Sequence, residues 1–463
     1  MNRIASVLLC LLAMPVAAAK AQTLDDALTQ AYRSNPTWRG QQATQRATDE
    51  TSVQARTGWR PVVTTTVDAG YQKGPFASYD YGAGTIETNA AEAVLTVKQP
   101  LYTGGRVASA VRAADARVLA GQQGLRLVEA QTFQSVILAY MDVLRDQDIL
   151  SVRRADLQTL ARQVTETTMR FNLGAQVTRT DVAQAEAQHQ QAAASLADAE
   201  AQLEASRAHY RAATGVLPGT LIEPGALVGL PGTLNEANAL AAAANPALGQ
   251  SLLAARASQA DVSAARAAGA PMIGVEGSFG YVGAAAPFRS RDYDQEATGL
   301  VTLTVPLITG GLVQSQVRQA KDRNEADLQA VEASARQATQ AVAIAWSRMR
   351  AGFAEIRANE GQVQAAATAL RGYQVEYGYG LRSTLDVLIA DENLRAAQVS
   401  LAQSRHDTVV AESDLLAATG RLEARWLLAG VRRYDPQAEF RRVKHAGSVP
   451  WEGAIAVLDR LGG

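Results

Sequence analysis

Few side chains in this sequence have the types and spacing that acid–base, nucleophilic or metal chemistry requires. The four histidines lack the spacing of a metal site: His189, His209, His406 and His445. No G-x-S-x-G or H-E-x-x-H motif occurs, and the Gly104-Gly105 and Gly310-Gly311 pairs lack the Lys-Ser/Thr of a phosphate-binding loop. The sequence therefore predicts neither catalysis nor a metal or other cofactor.

Two Ser/Thr-x-x-Asp motifs place a carboxylate at the start of a proline-free segment. They run from Thr178 to Asp181 and from Ser383 to Asp386. This pattern is a capping box, in which side chains satisfy the free N–H groups of the first helical turn. A glycine, Gly174 or Gly380, lies shortly before each motif, where it can end the preceding helix. The two sites therefore predict helix–turn–helix connections.

The chain contains two copies of one unit. The segment Val97–Gly105 recurs in a shortened form as Thr304–Gly311, with Pro100 opposite Pro306 and both Gly-Gly pairs in step. An Asn-Pro pair also recurs in each copy, and shared landmarks in one order indicate an internal duplication. The predicted organisation is a first repeat over 22–215, a Pro- and Gly-rich linker over 216–233, a second repeat over 234–419 and a C-terminal tail over 420–463.

An N-terminal segment, residues 1–21, has the pattern of a secretory signal peptide. One positive charge precedes the apolar run Ile4–Ala19, and Ala19-Lys20-Ala21 matches a small-x-small cleavage site. Cys10, the only cysteine, lies inside this run and is too poorly flanked for lipid attachment. We expect a mature chain that begins near Gln22 and has neither disulfide bonds nor thiolate sites.

Each repeat carries a pair of segments in which apolar and polar residues alternate. The predicted strand pairs are 61–73 with 90–102, and 271–283 with 296–307. Alternation with a period of two indicates strands between two environments. Each segment is about as long as the 9–11 residues with which a tilted strand crosses a bilayer, and polar loops connect them. The pattern therefore predicts transmembrane strands.

Prolines and paired glycines follow the second strand of each pair. Glycine tolerates sharp backbone turns, and proline is confined largely to strand edges and ends. We expect a structural role at the turns from strand to helix for six residues: Pro100, Gly104, Gly105, Pro306, Gly310 and Gly311.

Long helical hairpins follow these turns, over residues 106–214 and 312–419. No proline interrupts the roughly 66 residues after each Gly-Gly pair, which as continuous helix would span about 100 Å. Aromatic residues make up only 5% of the chain, and the apolar positions of the returning helices are mostly alanine. This composition favours long helices that pack closely, like a coiled coil, over one thick core.

Four strands cannot close a barrel, because the smallest transmembrane barrels have about eight. An open sheet edge in lipid would cost several kcal/mol for each unsatisfied backbone group. The chains must therefore pool their strands. The predicted fold is an α+β membrane protein with two internal repeats. Three chains, a homotrimer, would give a 12-stranded transmembrane β-barrel continuous with a long periplasmic α-helical, coiled-coil barrel.

The net charge of −1 gives no electrostatic case for binding nucleic acid, since no basic block with interleaved aromatics accompanies it. Two interpretations of the tail from Arg421 to Gly463 stay open at the level of sequence. It is either disordered or wrapped around the equator of the barrel.

The turn regions of the two helical hairpins resemble the TolC family of outer-membrane export ducts. The segments that carry the resemblance are Thr167–Gly174 with Thr180-Asp181-Val182, and Tyr377–Gly380 with Arg382 and Leu385–Leu388. It extends over nearly all the mature chain, to about Gly420. The resemblance implies a homotrimer in the outer membrane of a Gram-negative bacterium, inserted in outer-membrane lipid and extending into the periplasm.

The same resemblance implies partners and a function. A periplasmic adaptor protein and an inner-membrane ABC or RND pump would engage the tapered helical end and open it. The trimer would then be the exit duct of a tripartite efflux or type I secretion system, and drugs, proteins or other cargo stay open as substrates.

Residues at the tip take family roles by position. Thr180 and Asp181 match one side of a gating network, Tyr377 and Arg382 match the other side, and Asp386 matches an aspartate ring at the constriction. Gly174 and Gly380 match the tips that contact the adaptor. The capping-box and C-cap interpretations of these positions stay equally open.

The chain departs from the family pattern in two places. One residue more lies between Gly174 and Asp181 than in the family spacing. Ile389 stands where the best-known members carry a second constriction aspartate, and Asp391 lies off that position. A constriction with fewer acidic groups is therefore expected.

A rival function from another class is a non-conducting periplasmic coiled-coil scaffold or adaptor protein. Such a scaffold has no use for four alternating segments of bilayer length at corresponding places in two repeats. The strand pairs therefore favour the duct, and an enzyme is a distant third interpretation.

Overall fold

The structure, a computed structural model, describes residues 21–78, 82–174, 177–284 and 293–460. The predicted signal peptide lies outside these ranges up to residue 20. The described chain forms two compact units. The first unit contains the N-terminal residues through Arg39, Glu129–Ala241 and Gln340–Arg432, and the second contains Gly40–Val128, Ala242–Thr339 and the residues from Arg433 onward.

The described ranges contain eleven α-helices. In chain order they are α1 (Leu24–Ser34), α2 (Pro36–Arg56), α3 (Arg106–Asn172), α4 (Arg179–Thr214), α5 (Leu234–Ala244), α6 (Pro246–Ala267), α7 (Leu312–Gly378), α8 (Thr384–Ala418), α9 (Ala424–Leu427), α10 (Pro436–Val443) and α11 (Glu452–Arg460).

The longest helices, α3 and α7, have 67 residues each. At 1.5 Å per residue each spans about 100 Å, which the absence of proline from both segments permits. Asn245 ends α5 and caps α6, because its side chain accepts a hydrogen bond from the Leu248 N–H while Pro246 takes the first helical position. No helix in the described ranges is both long and apolar enough to cross a membrane.

The second unit contains a four-stranded antiparallel sheet within the described residues. Its strands lie in the order β1-β2-β3-β4: β1 (Val62–Ser78), β2 (Gly82–Tyr102), β3 (Met272–Ala284) and β4 (Tyr293–Thr304). In this part of the chain β1 and β4 are the outer strands, and each pairs with one neighbour. A register shift between Pro100 and Tyr102 marks the place where β2 ends.

The strands of the first hairpin extend beyond the predicted bounds of 61–73 and 90–102. Pairing continues through Pro75↔Thr85 to Ser78↔Gly82, within the segment that the sequence predicts to be a loop. Backbone hydrogen bonds do not require apolar alternation, so the alternating pattern does not mark the end of a strand. In the second repeat β4 ends at Thr304, three residues before the predicted end at 307.

One face of the sheet is apolar over much of its width. Val67 pairs with Ala93, which pairs with Tyr281 on the next strand. Val63 pairs with Val97 on the same face, and Val67 is 71% exposed within the single copy. Side chains on alternate positions point to opposite faces, so threonine and charged residues occupy the other side.

Separate cores stabilise the two units. In the first unit, a cluster of small and aliphatic side chains, including Ala237, Val342 and Leu415, packs α5, α7 and α8 together. In the second unit, Trp59, Val107 and Ile455 form a cluster that includes residues of the C-terminal tail. The tail therefore has described, packed structure in this unit, which argues against the disordered interpretation.

Candidate functional site at the hairpin tips

Both predicted capping boxes are present where the hairpins turn. The Asp181 N–H donates to Thr178 Oγ1 at 3.3 Å, and the Thr178 N–H donates back to Asp181 Oδ2 at 2.7 Å. Ser383 and Asp386 form the same pair at 3.2 and 3.0 Å. These bonds to the Ser383 N–H and hydroxyl hold the pKa of the Asp386 carboxyl below its ordinary value.

Left-handed glycines end the outgoing helices α3 and α7. Gly174 has φ of 72° and Gly380 has φ of 74°, values that favour glycine over other residues. A Cβ atom at either position would have no heavy atom within 4 Å, so backbone conformation and not crowding selects glycine. The contact of these tips with an adaptor stays a prediction.

Arg382 makes its contacts within its own hairpin. Its Nε donates to Glu376 Oε2 at 2.7 Å, and its guanidinium lies 4.7 Å from the Tyr373 ring centre. The hydrogen bond to Glu376 raises the pKa of Arg382. Asp181 bonds to Thr178, and the contact of Arg382 with the first hairpin stays a prediction.

Tyr377 connects the two hairpins of a single chain. Its side chain is buried, and its hydroxyl accepts a hydrogen bond from Thr384 Oγ1 at 3.3 Å. The guanidinium of Arg170, on α3, lies 4.3 Å from the Tyr377 ring centre, close enough for a cation–π interaction. Arg170 was not among the predicted gating residues, although it lies inside the segment that carries the family resemblance.

The acidic residue near the predicted constriction ring is turned inward. Asp391 is buried and pairs with Arg395 at 3.1 Å, whereas Ile389 is exposed. Burial, together with the neighbouring Asp391 carboxyl, raises the pKa of Asp156 on α3. Asp386 is half-buried and Glu392, next to Asp391, is exposed, so a constriction with fewer acidic groups stays a prediction.

Apolar contacts also join the two hairpins, farther along the helices from the tips. Leu160 on α3, Ala192 on α4 and Leu388 on α8 form one buried cluster. Alanine at the α4 position leaves room for the two hairpins to approach closely. Packing, and not the polar tip residues alone, therefore joins the two hairpins.

The predicted strand-to-helix residues lie at the ends of β2 and β4. All four glycines have positive φ: Gly104, Gly105, Gly310 and Gly311. Pro100 lies in the last residues of β2, and Pro306 lies two residues after the end of β4. A Cβ atom on Gly104 would come within 2.3 Å of the Ala270 Cβ atom, so this turn also requires glycine for space.

His406 is a buried histidine, and its contacts have a structural role. Its Nε2 lies 3.0 Å from Asp142 Oδ1 on α3, and its Nδ1 lies 2.8 Å from Asp407 Oδ1. Carboxylates engage both ring nitrogens, so neither nitrogen is left to activate a nucleophile. No group of side chains in the described ranges is arranged to hold a metal ion.

The protein should lose stability as the pH rises through the pKa of His406. Burial alone would lower this pKa, but hydrogen bonds to Asp142 and Asp407 outweigh it and raise the pKa above 6.5, despite the nearby Arg145. The contribution of protonated His406 to the free energy of unfolding is complete below about pH 6.5 and disappears above the folded-state pKa. Thermal melting at about pH 6 and about pH 9 should show a fall in Tm of a few degrees.

His406→Gln should reduce this fall in Tm, because glutamine does not titrate. His445→Gln, at an exposed position, is the matched control and should melt like the wild type. If His406→Gln kept the full pH dependence, the His406–Asp142 pair would not be its origin.

Comparison with known proteins places these features in a family. The Outer membrane efflux protein family profile matches residues 27–216 and 239–421. Outer membrane efflux protein BepC of Brucella suis biovar 1 (strain 1330) is 33% identical over 440 residues, which cover 95% of this chain and 94% of BepC. Outer membrane protein TolC of Escherichia coli (strain K12) is 27% identical over 462 residues, which cover 94% of this chain and 90% of TolC.

A solved structure has the same fold. The crystal structure of the outer membrane protein VceC from Vibrio cholerae matches with a TM-score of 0.75 and 20% sequence identity, covering 86% of this chain and 96% of VceC. At this identity the match supports the fold alone. With the family profile and the BepC match, the chain belongs to the TolC family of outer membrane efflux proteins, located in the outer membrane and extending into the periplasm.

Proposed function

We propose that three copies of the chain form one channel-tunnel, the exit duct of a tripartite efflux or type I secretion system. The observation that carries this proposal is a sheet with two outer strands in each copy. Within the described chain, β1 and β4 each have one partner strand, so each presents an edge that no strand of the same copy covers. In lipid such edges require strands from other copies.

Three sheets of four strands would close a 12-stranded barrel. The apolar face that includes Val63, Val67 and Leu95 would contact lipid, and the polar face would line the lumen. The strands have 12 to 21 residues, which is enough to cross a bilayer at a tilt. This assembly has no need of a membrane-spanning helix.

The helical hairpins would continue the lumen into the periplasm. With α3 and α7 each spanning about 100 Å, twelve helices from three copies would form the wall of a long conduit. Cargo passes through such a conduit without chemical change, which agrees with family members that are efflux channels. Membership in that family also favours the duct over a non-conducting scaffold or adaptor.

The hairpin tips supply a surface for the proposed adaptor. Leu173 is 84% exposed, Tyr379 is 81% exposed and Leu381 is 74% exposed, all within a few residues of Gly174 or Gly380. Large apolar side chains at this exposure are characteristic of protein contact surfaces. A periplasmic adaptor would bind here and link the duct to an ABC or RND pump in the inner membrane.

Asp386→Asn should weaken the block of the channel by divalent or trivalent cations and reduce its cation selectivity. Three copies of Asp386 near the narrow end would form a ring of negative charge, and its lowered pKa keeps it ionised at neutral pH. Single-channel conductance in planar bilayers with and without added cation measures both effects.

Asp26→Asn is the matched control, since it alters the capping box of α1 and leaves the proposed ring and the hairpin tips intact. A wild-type protein that forms no ion-conducting channel in these bilayers would contradict the proposed function itself. If Asp386→Asn conducted and were blocked like the wild type, Asp386 would be only a helix cap.

A further inference from the structure

The C-terminal helix α11 has buried carboxylates and an exposed apolar surface. Asp459 is 0% exposed and Glu452 is buried. On the opposite side of the same segment, Trp451, Val457 and Leu458 are each at least half exposed. Ile455 and Ala456 are buried on the inner side as well, but the outer side of a helix that meets water is normally polar.

Asp459 fixes α11 to the turn between β2 and α3. Its carboxylate accepts hydrogen bonds from the Thr103 N–H at 2.7 Å, the Gly105 N–H at 3.1 Å and the Ala108 N–H at 3.1 Å. The Trp59 indole N–H also donates to it at 3.1 Å. A tail residue therefore accepts hydrogen bonds from the turn before α3 and from one of the free N–H groups in the first turn of that helix.

A second set of contacts holds the beginning of α11. Arg60 Nε donates to Glu452 Oε2 at 2.9 Å, and Arg60 Nη1 donates to the Ala446 carbonyl at 2.8 Å. The orientation of α11 is therefore set by these polar bonds together with the buried Ile455 and Ala456 on its inner side. The exposed apolar face is thus a fixed feature of the fold.

The exposed face of α11 lies beside the apolar face of the sheet. The Trp451 indole N–H donates to Gln99 Oε1 at 3.1 Å. Gln99 lies on the same face of β2 as Val97 and Leu95, the face that the proposed function assigns to lipid. Trp451 therefore extends the apolar surface of the strands past their periplasmic ends.

We propose that α11 is an interfacial anchor whose exposed face, formed by Trp451, Val457 and Leu458, rests on phospholipid at the periplasmic edge of the outer membrane. This proposal depends on the proposed function, because it takes the apolar sheet face as lipid-facing. Tryptophan with a hydrogen-bonded N–H and an exposed ring suits the membrane–water interface. Helices with one apolar face bind in the plane of that interface.

Spin labels on single cysteines would test the contact in the assembled protein. The mature chain is expected to lack cysteine, so Leu458→Cys and Val457→Cys each give one labelling site. Val67→Cys, on the apolar sheet face, is the lipid control, and Arg336→Cys, whose side chain is 78% exposed on α7, is the water control. Each variant is reconstituted in vesicles of phosphatidylethanolamine and phosphatidylglycerol.

Accessibility to oxygen, which concentrates in lipid, is compared with accessibility to a water-soluble nickel chelate. We expect the oxygen-to-nickel ratio at positions 457 and 458 to be several-fold higher than at Arg336→Cys and to approach that at Val67→Cys. A water-like ratio at both tail positions with a lipid-like Val67→Cys would overturn the anchor and leave the proposed duct intact.

Protection of both tail positions from both reagents would also overturn the anchor, because another copy of the chain or another protein would then cover the face. A water-like ratio at Val67→Cys itself would contradict the lipid-facing sheet, and with it the proposed function on which the anchor depends. The two failures are therefore distinguishable within one set of samples.

Discussion

Chains that carry both Leu303→Cys and Val67→Cys are expected to form covalent trimers under mild oxidation, with most of the protein cross-linked. The reason is that β4 of one copy should lie beside β1 of the next in the closed barrel. Paired residues of antiparallel strands have Cα atoms about 4.5–5.5 Å apart, within the range that a disulfide bridges.

The pairing within one chain supplies the register for this prediction. Val62 pairs with Lys98 in the first hairpin, and Met272 pairs with Thr304 at the equivalent place in the second. Between the hairpins, Val97 of β2 pairs with Gly277 of β3. The repeat relates Pro100 to Pro306, and the same offset takes Val97 of β2 to Leu303 of β4. It also relates Pro61 to Pro271, and this offset takes Gly277 of β3 back to Val67 of β1. The equivalent pair between copies is therefore Leu303 opposite Val67.

The matched control combines Leu303→Cys with Asp68→Cys. Asp68 is the neighbour of Val67 on the opposite face of β1, so a one-residue change should abolish efficient cross-linking. Non-reducing gel electrophoresis of outer-membrane preparations measures both. Equal cross-linking of the two pairs, or none with either, would show that β4 and β1 do not meet in this register.

Arg382→Ser is expected to raise the conductance of the purified trimer several-fold, and Arg170→Ala should act in the same direction. Arg382 holds the turn of the second hairpin through Glu376, and Arg170 holds α3 to the Tyr377 ring. A cation–π contact of this kind contributes about 0.5–2 kcal/mol, and three copies repeat it. Both changes should loosen the narrow end of the duct.

The combined Arg170→Ala and Arg382→Ser variant should gain less than the sum of the two, because both residues act on the same α7 segment. Asp26→Ala, in the capping box of α1, is the control for simple loss of a helix cap. It should cost about 1 kcal/mol per chain and lower Tm without opening the channel. Conductance of Arg382→Ser and Arg170→Ala trimers equal to that of wild type would exclude a gating role for these contacts.

Much of the secondary structure is readable from local sequence signals. The Asn35-Pro36 pair marks the boundary of α1 and α2, because asparagine caps and proline fits the first helical turn. Capping boxes at Thr178 and Ser383 mark the starts of α4 and α8. Period-two alternation indicates the strands, although it underestimates β1 and β2.

The remaining features depend on contacts between residues far apart in the chain. Asp459 caps α3 from about 350 positions away, and no local pattern distinguishes a buried capping aspartate from an exposed one. His406 meets Asp142 only after α3 and α8 have packed. Arg382 pairs with Glu376 and not with a group on the first hairpin, and this pairing likewise follows from the geometry of the turn.

The mass of the purified complex in mild detergent, measured by native mass spectrometry, tests most directly whether the chains pool their strands into one duct. Four strands per copy leave two sheet edges to be covered, and two copies would close only an eight-stranded barrel, whose interior side chains fill. We therefore predict one species containing three chains, with no stable smaller species. A stable monomer inserted in detergent, or a complex with another number of chains, would contradict the twelve-stranded channel.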